Sequence, residues 1–201
     1  MHYSLVLVGA HDGHKKESLI KRGAAIAQVL LIEPVPWLYA KLTHRFSDLP
    51  SIRYCNCAIS TEDGEVDFYA LHESANKVLF YGDQLGSLYR SHAEQHHSSL
   101  KDEVEVIKTK SLSFETLCKN YNITSIDTLI TDTEGHDTKI LPLFPFRKLR
   151  PRQIIFEHKH SDGVAHIGKG FAHLLVVLEA FNYKTRIVDD ENCLAVLRRA
   201  D

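Results

Sequence analysis

Two stretches of the chain gather carboxyl and imidazole groups. Asp132-Thr133-Glu134-Gly135-His136-Asp137 follows the apolar run 126–131, and Glu157-His158-Lys159-His160 follows the apolar run 153–156. Carboxylate and imidazole together suit a divalent cation such as Mg²⁺ or Mn²⁺. Either group also accepts a proton from a reacting hydroxyl. If the two runs are neighbouring strands, Asp132, Glu157 and His158 converge at one edge as the metal ligands, with His136 or Glu134 as base. A solvated acidic loop and a hydrogen-bonded polar cluster without metal are the structural alternatives. His92, His96 and His97 form a further group. His92 and His96 have the i, i+4 spacing that puts two side chains on one helical face. No third ligand lies close by in sequence, so a surface or substrate-face role is expected for them.

Other residues are suited to binding. Val8-Gly9-Ala10-His11-Asp12-Gly13 follows the apolar run 3–8. Glycine lets backbone approach a ligand closely, and a loop that feeds a helix aims its N–H groups at that ligand. The spacing is G-x-x-x-G. The dinucleotide pattern G-x-G-x-x-G is absent, which counts against NAD. Glu33 closes the next apolar run. A carboxylate there accepts hydrogen bonds from both hydroxyls of a ribose; otherwise it caps the turn at Pro34 to Pro36.

These residues need strands to end where they stand. Apolar runs at 3–8, 29–33, 52–59, 126–131 and 153–156 read as core strands, separated by helical patterns at 15–27, 36–46, 113–120 and 170–181. That alternation is the signature of a parallel sheet with crossover helices. Pro36 suits a first helical turn, and Ser113 a helix cap. Segments 183–188 and 193–197 read as a final antiparallel pair. Segments 66–71 and 104–108 read as extra strands around an irregular stretch, 72–103. That stretch is expected to be an insertion over the ligand face of a single domain covering residues 1–201.

Composition narrows the classes. With 44% apolar and 25% charged residues, the chain reads as an ordinary globular protein. Its net charge of −2, with no basic run, gives no electrostatic footprint for nucleic acid. No stretch is long enough to span a membrane. The run 3–8 has no Lys or Arg before it and reads as a core strand, not a signal peptide, so a cytoplasmic location is expected. Cys55, Cys57, Cys118 and Cys193 include no CxxC pair and are expected as free thiols. No oligomeric state is implied.

Taken in order, Gly9-Ala10-His11-Asp12-Gly13, Ile32-Glu33-Pro34, Cys57-Ala58-Ile59-Ser60, Ile126-Asp127, Asp132-Thr133-Glu134-Gly135-His136 and Ile155-Phe156-Glu157 resemble the FkbM-type methyltransferases. The match runs over roughly residues 5–197. The resemblance implies a doubly wound, Rossmann-like α/β fold of the class I methyltransferases. Its mostly parallel seven-stranded sheet would be ordered 3-2-1-4-5-7-6, with an antiparallel last strand. It implies S-adenosyl-L-methionine as cofactor, held by Gly9, Ala10, His11, Asp12, Gly13, Glu33, Asn56, Cys57, Ala58 and Asp132. The implied activity is O-methyl transfer to a sugar, glycan or related small molecule, with His136, Glu134 and Asp132 as catalytic groups. Leu7 stands where the family usually carries Asp, and His11 where it carries Asn. Leu7 keeps open a non-catalytic module that binds the cofactor or a nucleotide. A nucleic-acid methyltransferase and an NAD-dependent oxidoreductase are further alternatives, disfavoured by the charge and by the missing dinucleotide pattern.

Overall fold

The computed structural model describes residues 1–198. The first strand, β1 (His2–Val8), is buried at every position from Tyr3 to Val8. Burial on both faces is what a central parallel strand requires. It pairs in parallel with β2 (Gln28–Ile32) on one side and with β7 (Ser125–Thr131) on the other. Outside these lie β3 (Ile52–Cys55), next to β2, and β8 (Gln153–Glu157), next to β7. The sheet ends with β10 (Asn192–Leu197) and β9 (Tyr183–Ile187), giving the order β3-β2-β1-β7-β8-β10-β9. β10 alone runs against the direction of the other strands of this sheet, antiparallel to both β8 and β9. Counted along the main sheet alone, that is the order 3-2-1-4-5-7-6 with an antiparallel last strand.

Helices α1 (Glu17–Ala24), α2 (Pro36–Arg45), α4 (Phe114–Asn120), α5 (Asp137–Ile140) and α6 (Lys169–Ala180) connect the strands. Pro36 opens α2, where its missing N–H costs nothing. The Ser113 hydroxyl caps α4 by accepting the Thr116 N–H at 3.3 Å. Two apolar clusters fill the faces of the sheet. One is built on Val6, Leu30, Leu129 and Phe156, the other on Leu5, Leu7, Leu31 and Phe46. Leu7 is fully buried in the second.

The expected third strand, 52–59, breaks in two. After β3 the chain turns at Asn56, whose side-chain N–H groups are donated to the backbone oxygens of Glu33 and Pro34 at 2.8 and 3.1 Å. The following pair, β4 (Ala58–Ile59), leaves the main sheet and joins β5 (Gly64–Leu71) and β6 (Val104–Leu112) in a second sheet, ordered β4-β6-β5. β6 therefore extends past the expected end at 108. The first helix is shorter than 15–27, since residues 25–27 fall outside α1 and Ile26 is exposed.

Between β5 and β6 the chain forms 3₁₀ turns at Glu73–Lys77, Gly82–Gln84 and Ser98–Glu103 and one short helix, α3 (Ser91–His96). This stretch has its own small core of Leu71, Ala75, Leu85, Ala93 and Leu100. Among the described residues no helix is long and apolar enough to cross a membrane. All four cysteines are free thiols.

Candidate functional site

The sheet reverses its winding between β1 and β7, so the loops that follow these strands separate there and leave a crevice. The backbone N–H of Gly9 is donated to Ile32 O at 3.1 Å, and that of Asp132 to Val8 O at 3.1 Å. Gly9 has φ +78°, and a Cβ there would lie 1.9 Å from the Asp132 carbonyl oxygen. Only glycine fits where the two loops touch. The crevice opens into a cavity of about 710 Å³, the size of a pocket for a drug-sized or cofactor-sized ligand.

One wall is the first loop and Glu33. The carboxylate accepts the backbone N–H of His11 at 2.8 Å and that of Val35 at 2.9 Å. His11 has φ +53°, a conformation uncommon outside glycine, and this bond helps hold it there. Burial raises the Glu33 carboxyl from its ordinary 4.5 to about 7, although both N–H donors work against the rise. Gly9, Ala10, His11, Asp12, Gly13, Cys57 and Ala58 also face the cavity. Asn56 does not; its side chain is spent on the Glu33–Pro34 backbone.

The opposite wall is the second motif. Asp132 pairs with Lys16, Oδ2 to Nζ 2.9 Å. Glu134 (φ +51°) and Gly135 (φ +95°) turn sharply, and Glu134 faces the cavity. His136 also faces it. Burial lowers the His136 imidazole to about 4, so the ring is neutral at neutral pH. Its Nδ1 is 2.8 Å from the Tyr89 hydroxyl, and its buried Nε2 has no protein partner.

The stretch 72–103 closes over both walls. Ser87 donates its hydroxyl to Glu134 O at 3.0 Å, Tyr89 reaches His136, and His92 Nε2 lies 2.9 Å from Glu134 Oε2. On the other side, Lys15 donates to Gln84, and His11 Nε2 lies 3.8 Å from Asp83.

The expected metal ligands Asp132, Glu157 and His158 are not gathered. Asp132 is taken by Lys16. His158 lies outside the cavity lining, with Nε2 3.3 Å from Asp189 O and its ring against Phe171. Among the described residues, potential ligand atoms fall within 4.8 Å of one another in two overlapping groups: His92, His96 and Glu134, and Glu134, Glu157 and His160. The i, i+4 spacing of His92 and His96 and the two carboxylate–imidazole stretches that hold Glu134, Glu157 and His160 were the sequence signals for this grouping. Nothing local in the sequence signals Lys16 or Tyr89.

The methyltransferase FkbM domain model matches residues 8–185, and the chain belongs to that methyltransferase family. Solved structures agree in fold. A methyltransferase FkbM from Methylobacillus flagellatus KT superposes with a TM-score of 0.57 at 13% identity, covering 98% of this chain and 44% of that one. The Methanococcus jannaschii fibrillarin pre-rRNA processing protein gives 0.50 at 15% identity, covering 98% and 66%. The precorrin-6y C5,15-methyltransferase of Geobacter metallireducens GS-15 gives 0.50 at 7% identity, covering 98% and 82%. The chain thus spans less than two thirds of the first two of these proteins. No curated protein matches the sequence.

Proposed function

We propose that the protein transfers a methyl group from S-adenosylmethionine to a hydroxyl of a sugar, glycan or related small molecule. The observation that carries this reading is the two-walled cavity. A glycine loop and a buried carboxyl form one side, and a neutral imidazole with a buried, unpartnered nitrogen stands opposite them. The first wall suits the cofactor, with Glu33 toward the ribose and the loop of residues 9–13 around the methionine end. Asp12 and His11 take the place of the acid that Leu7 does not supply.

Methyl transfer is an in-line displacement. The acceptor oxygen forms its bond to the methyl carbon as the carbon–sulfur bond breaks, and that electron pair stays on sulfur as a neutral thioether. The acceptor proton grows strongly acidic as the new bond forms, so a weak base suffices. We assign that role to His136 Nε2, with Tyr89 fixing the ring and Glu134 and Asp132 shaping the field around it. The stretch 72–103 forms the acceptor side, as its contacts with Glu134 and His136 suggest.

Incubation with S-adenosylmethionine labelled on the methyl group, against a panel of sugars, glycans and small alcohols, tests the reading. Label recovered as a methyl ether supports it. Label on carbon or nitrogen of a competent acceptor would replace O-transfer with another methyl transfer. Failure to bind either S-adenosylmethionine or S-adenosylhomocysteine would remove the cofactor assignment.

A further inference from the structure

At the acceptor end of the cavity three imidazole rings pack together, His92 and His160 edge to face and the other two pairs tilted. The ring centroids of His92 and His96 are 4.9 Å apart, those of His92 and His160 5.3 Å, and those of His96 and His160 4.9 Å. His92 and His160 are buried, and two carboxyls, the half-buried Glu134 and the buried Glu157, stand among the rings. The three rings come from distant parts of the chain: His92 and His96 from one face of α3, His160 from the loop after β8.

Polar groups packed this closely normally satisfy one another. Here they do not. His96 Nε2 and Glu157 Oε2 are buried atoms with no hydrogen-bond partner, and the Glu157 side chain is nine-tenths buried. An unpaired buried polar atom is destabilising, so two within one cluster point to a missing partner.

We propose that His92, His96 and Glu134, whose ligand atoms already lie within 4.8 Å of one another, bind one divalent transition-metal ion, that Glu157, within the same reach of Glu134, moves in to complete the set, and that His160 positions Glu157. The partners of each ring decide the roles. His160 Nδ1 accepts the Ala165 N–H at 2.9 Å, so the ring's hydrogen must sit on Nε2. That Nε2 lies 3.4 Å from Glu157 Oε1 and, carrying the hydrogen, is not free to ligate. His160 is therefore an outer partner that aims a carboxylate ligand. No such bond fixes His96, whose Nε2 is open toward the group. His92 Nε2 is held by Glu134 Oε2 alone, and that contact gives way to a shared ion.

The donor set names the class of metal. Imidazole with carboxylate suits Zn²⁺, Mn²⁺, Fe²⁺, Co²⁺ or Ni²⁺ and not the Mg²⁺ expected from the sequence, because Mg²⁺ and Ca²⁺ take oxygen ligands. The position of the ion at the acceptor end rests on the methyl-transfer reading; metal binding itself does not. An acceptor oxygen on the ion would lose its proton more readily.

The test uses the full chain, without an affinity tag and stripped by chelator, titrated with Co²⁺. The visible absorption band of nitrogen- and oxygen-ligated cobalt and metal analysis by mass spectrometry are the readouts. One equivalent should bind, be displaced by Zn²⁺, and resist Mg²⁺ at equal concentration. His92→Ala/His96→Ala should abolish the band while S-adenosylhomocysteine affinity is kept, which shows that the variant is folded. Glu157→Gln should weaken Co²⁺ binding. His160→Ala should weaken it about 10–100-fold, the usual effect of losing an outer partner. If the double variant loses S-adenosylhomocysteine binding, His96→Asn and Glu157→Gln carry the test. Binding of equal strength in the histidine or Glu157 variants, or a band showing sulfur ligation, overturns the site. Cobalt binding without methyl transfer to any acceptor would sink the proposed function and leave the site standing.

Discussion

Glu33 offers a test that the structure makes quantitative. Burial raises its carboxyl from 4.5 to about 7, a difference worth about 3 kcal/mol. A carboxyl whose folded value is raised binds its proton more tightly in the native state than in the unfolded chain. Its contribution to stability is full below pH 4.5 and is lost as pH rises through about 7. Glu33→Gln carries no titrating proton. Urea unfolding of both proteins between pH 4.5 and 8 should therefore show wild type losing ground to the variant by up to about 3 kcal/mol. The variant pays a constant cost of about 1–3 kcal/mol, because its amide NH₂ faces one of the two backbone N–H groups, of His11 or Val35. Binding supplies a second readout. Ribose hydroxyls donate best to the charged carboxylate, so S-adenosylhomocysteine should bind more tightly as pH rises through 7. Hydrogen bonds to a charged group are worth about 1.5–3 kcal/mol, so Glu33→Gln at pH 8 should weaken binding about 10–150-fold. The same energy sets the wild-type loss on acidification, and calorimetry measures both. A stability difference independent of pH would refute the raised carboxyl. Unchanged affinity in Glu33→Gln would mean that the ribose is held elsewhere.

Gly9→Ala should abolish S-adenosylhomocysteine binding and lower the unfolding midpoint, because its methyl would meet the Asp132 carbonyl at 1.9 Å; circular dichroism and calorimetry read the two effects. His136→Ala should cut kcat about 10²–10⁴-fold while leaving cofactor affinity intact, and a smaller drop would move the base to another group. Tyr89→Phe, which leaves the His136 ring unanchored, should lower kcat more than it raises KM. Ser113→Ala removes the cap of α4 and should cost about 1 kcal/mol in urea unfolding without touching cofactor binding.

The part of the fold that local rules govern was legible in the sequence. Short apolar runs broken by helical patterns give the parallel sheet, and a run buried on both faces, such as Tyr3 to Val8, has no other stable place. Glu33 was legible for the same reason, since its place at a strand end carries it to the crevice. The break at Asn56 was not, because residues 52–59 keep strand composition throughout. What splits them is a tertiary bond from the Asn56 side chain to the Glu33–Pro34 backbone. His158 shows a failure of another kind. Consecutive residues in extended chain point to opposite faces. With Glu157 turned into the cavity, His158 is turned toward Asp189 and Phe171, and the ring that returns is His160. Two such neighbours do not reach one ion together.

The insertion explains why half of the site stays hidden in the sequence. Its short 3₁₀ turns and six-residue helix carry no sustained period, so nothing in the chain announces which way Tyr89 or His92 faces. Its own apolar core, through Ala93 and Leu100, sets the seat of α3 and so sends His92 and His96 to Glu134. The same stretch touches the first loop through Gln84 and Asp83. A ligand that shifts the loop of residues 9–13 therefore acts on the seat of α3 as well. On the proposed function, cofactor and acceptor sides are joined by one cover, and order in that cover is the physical means by which the two ligands would sense each other.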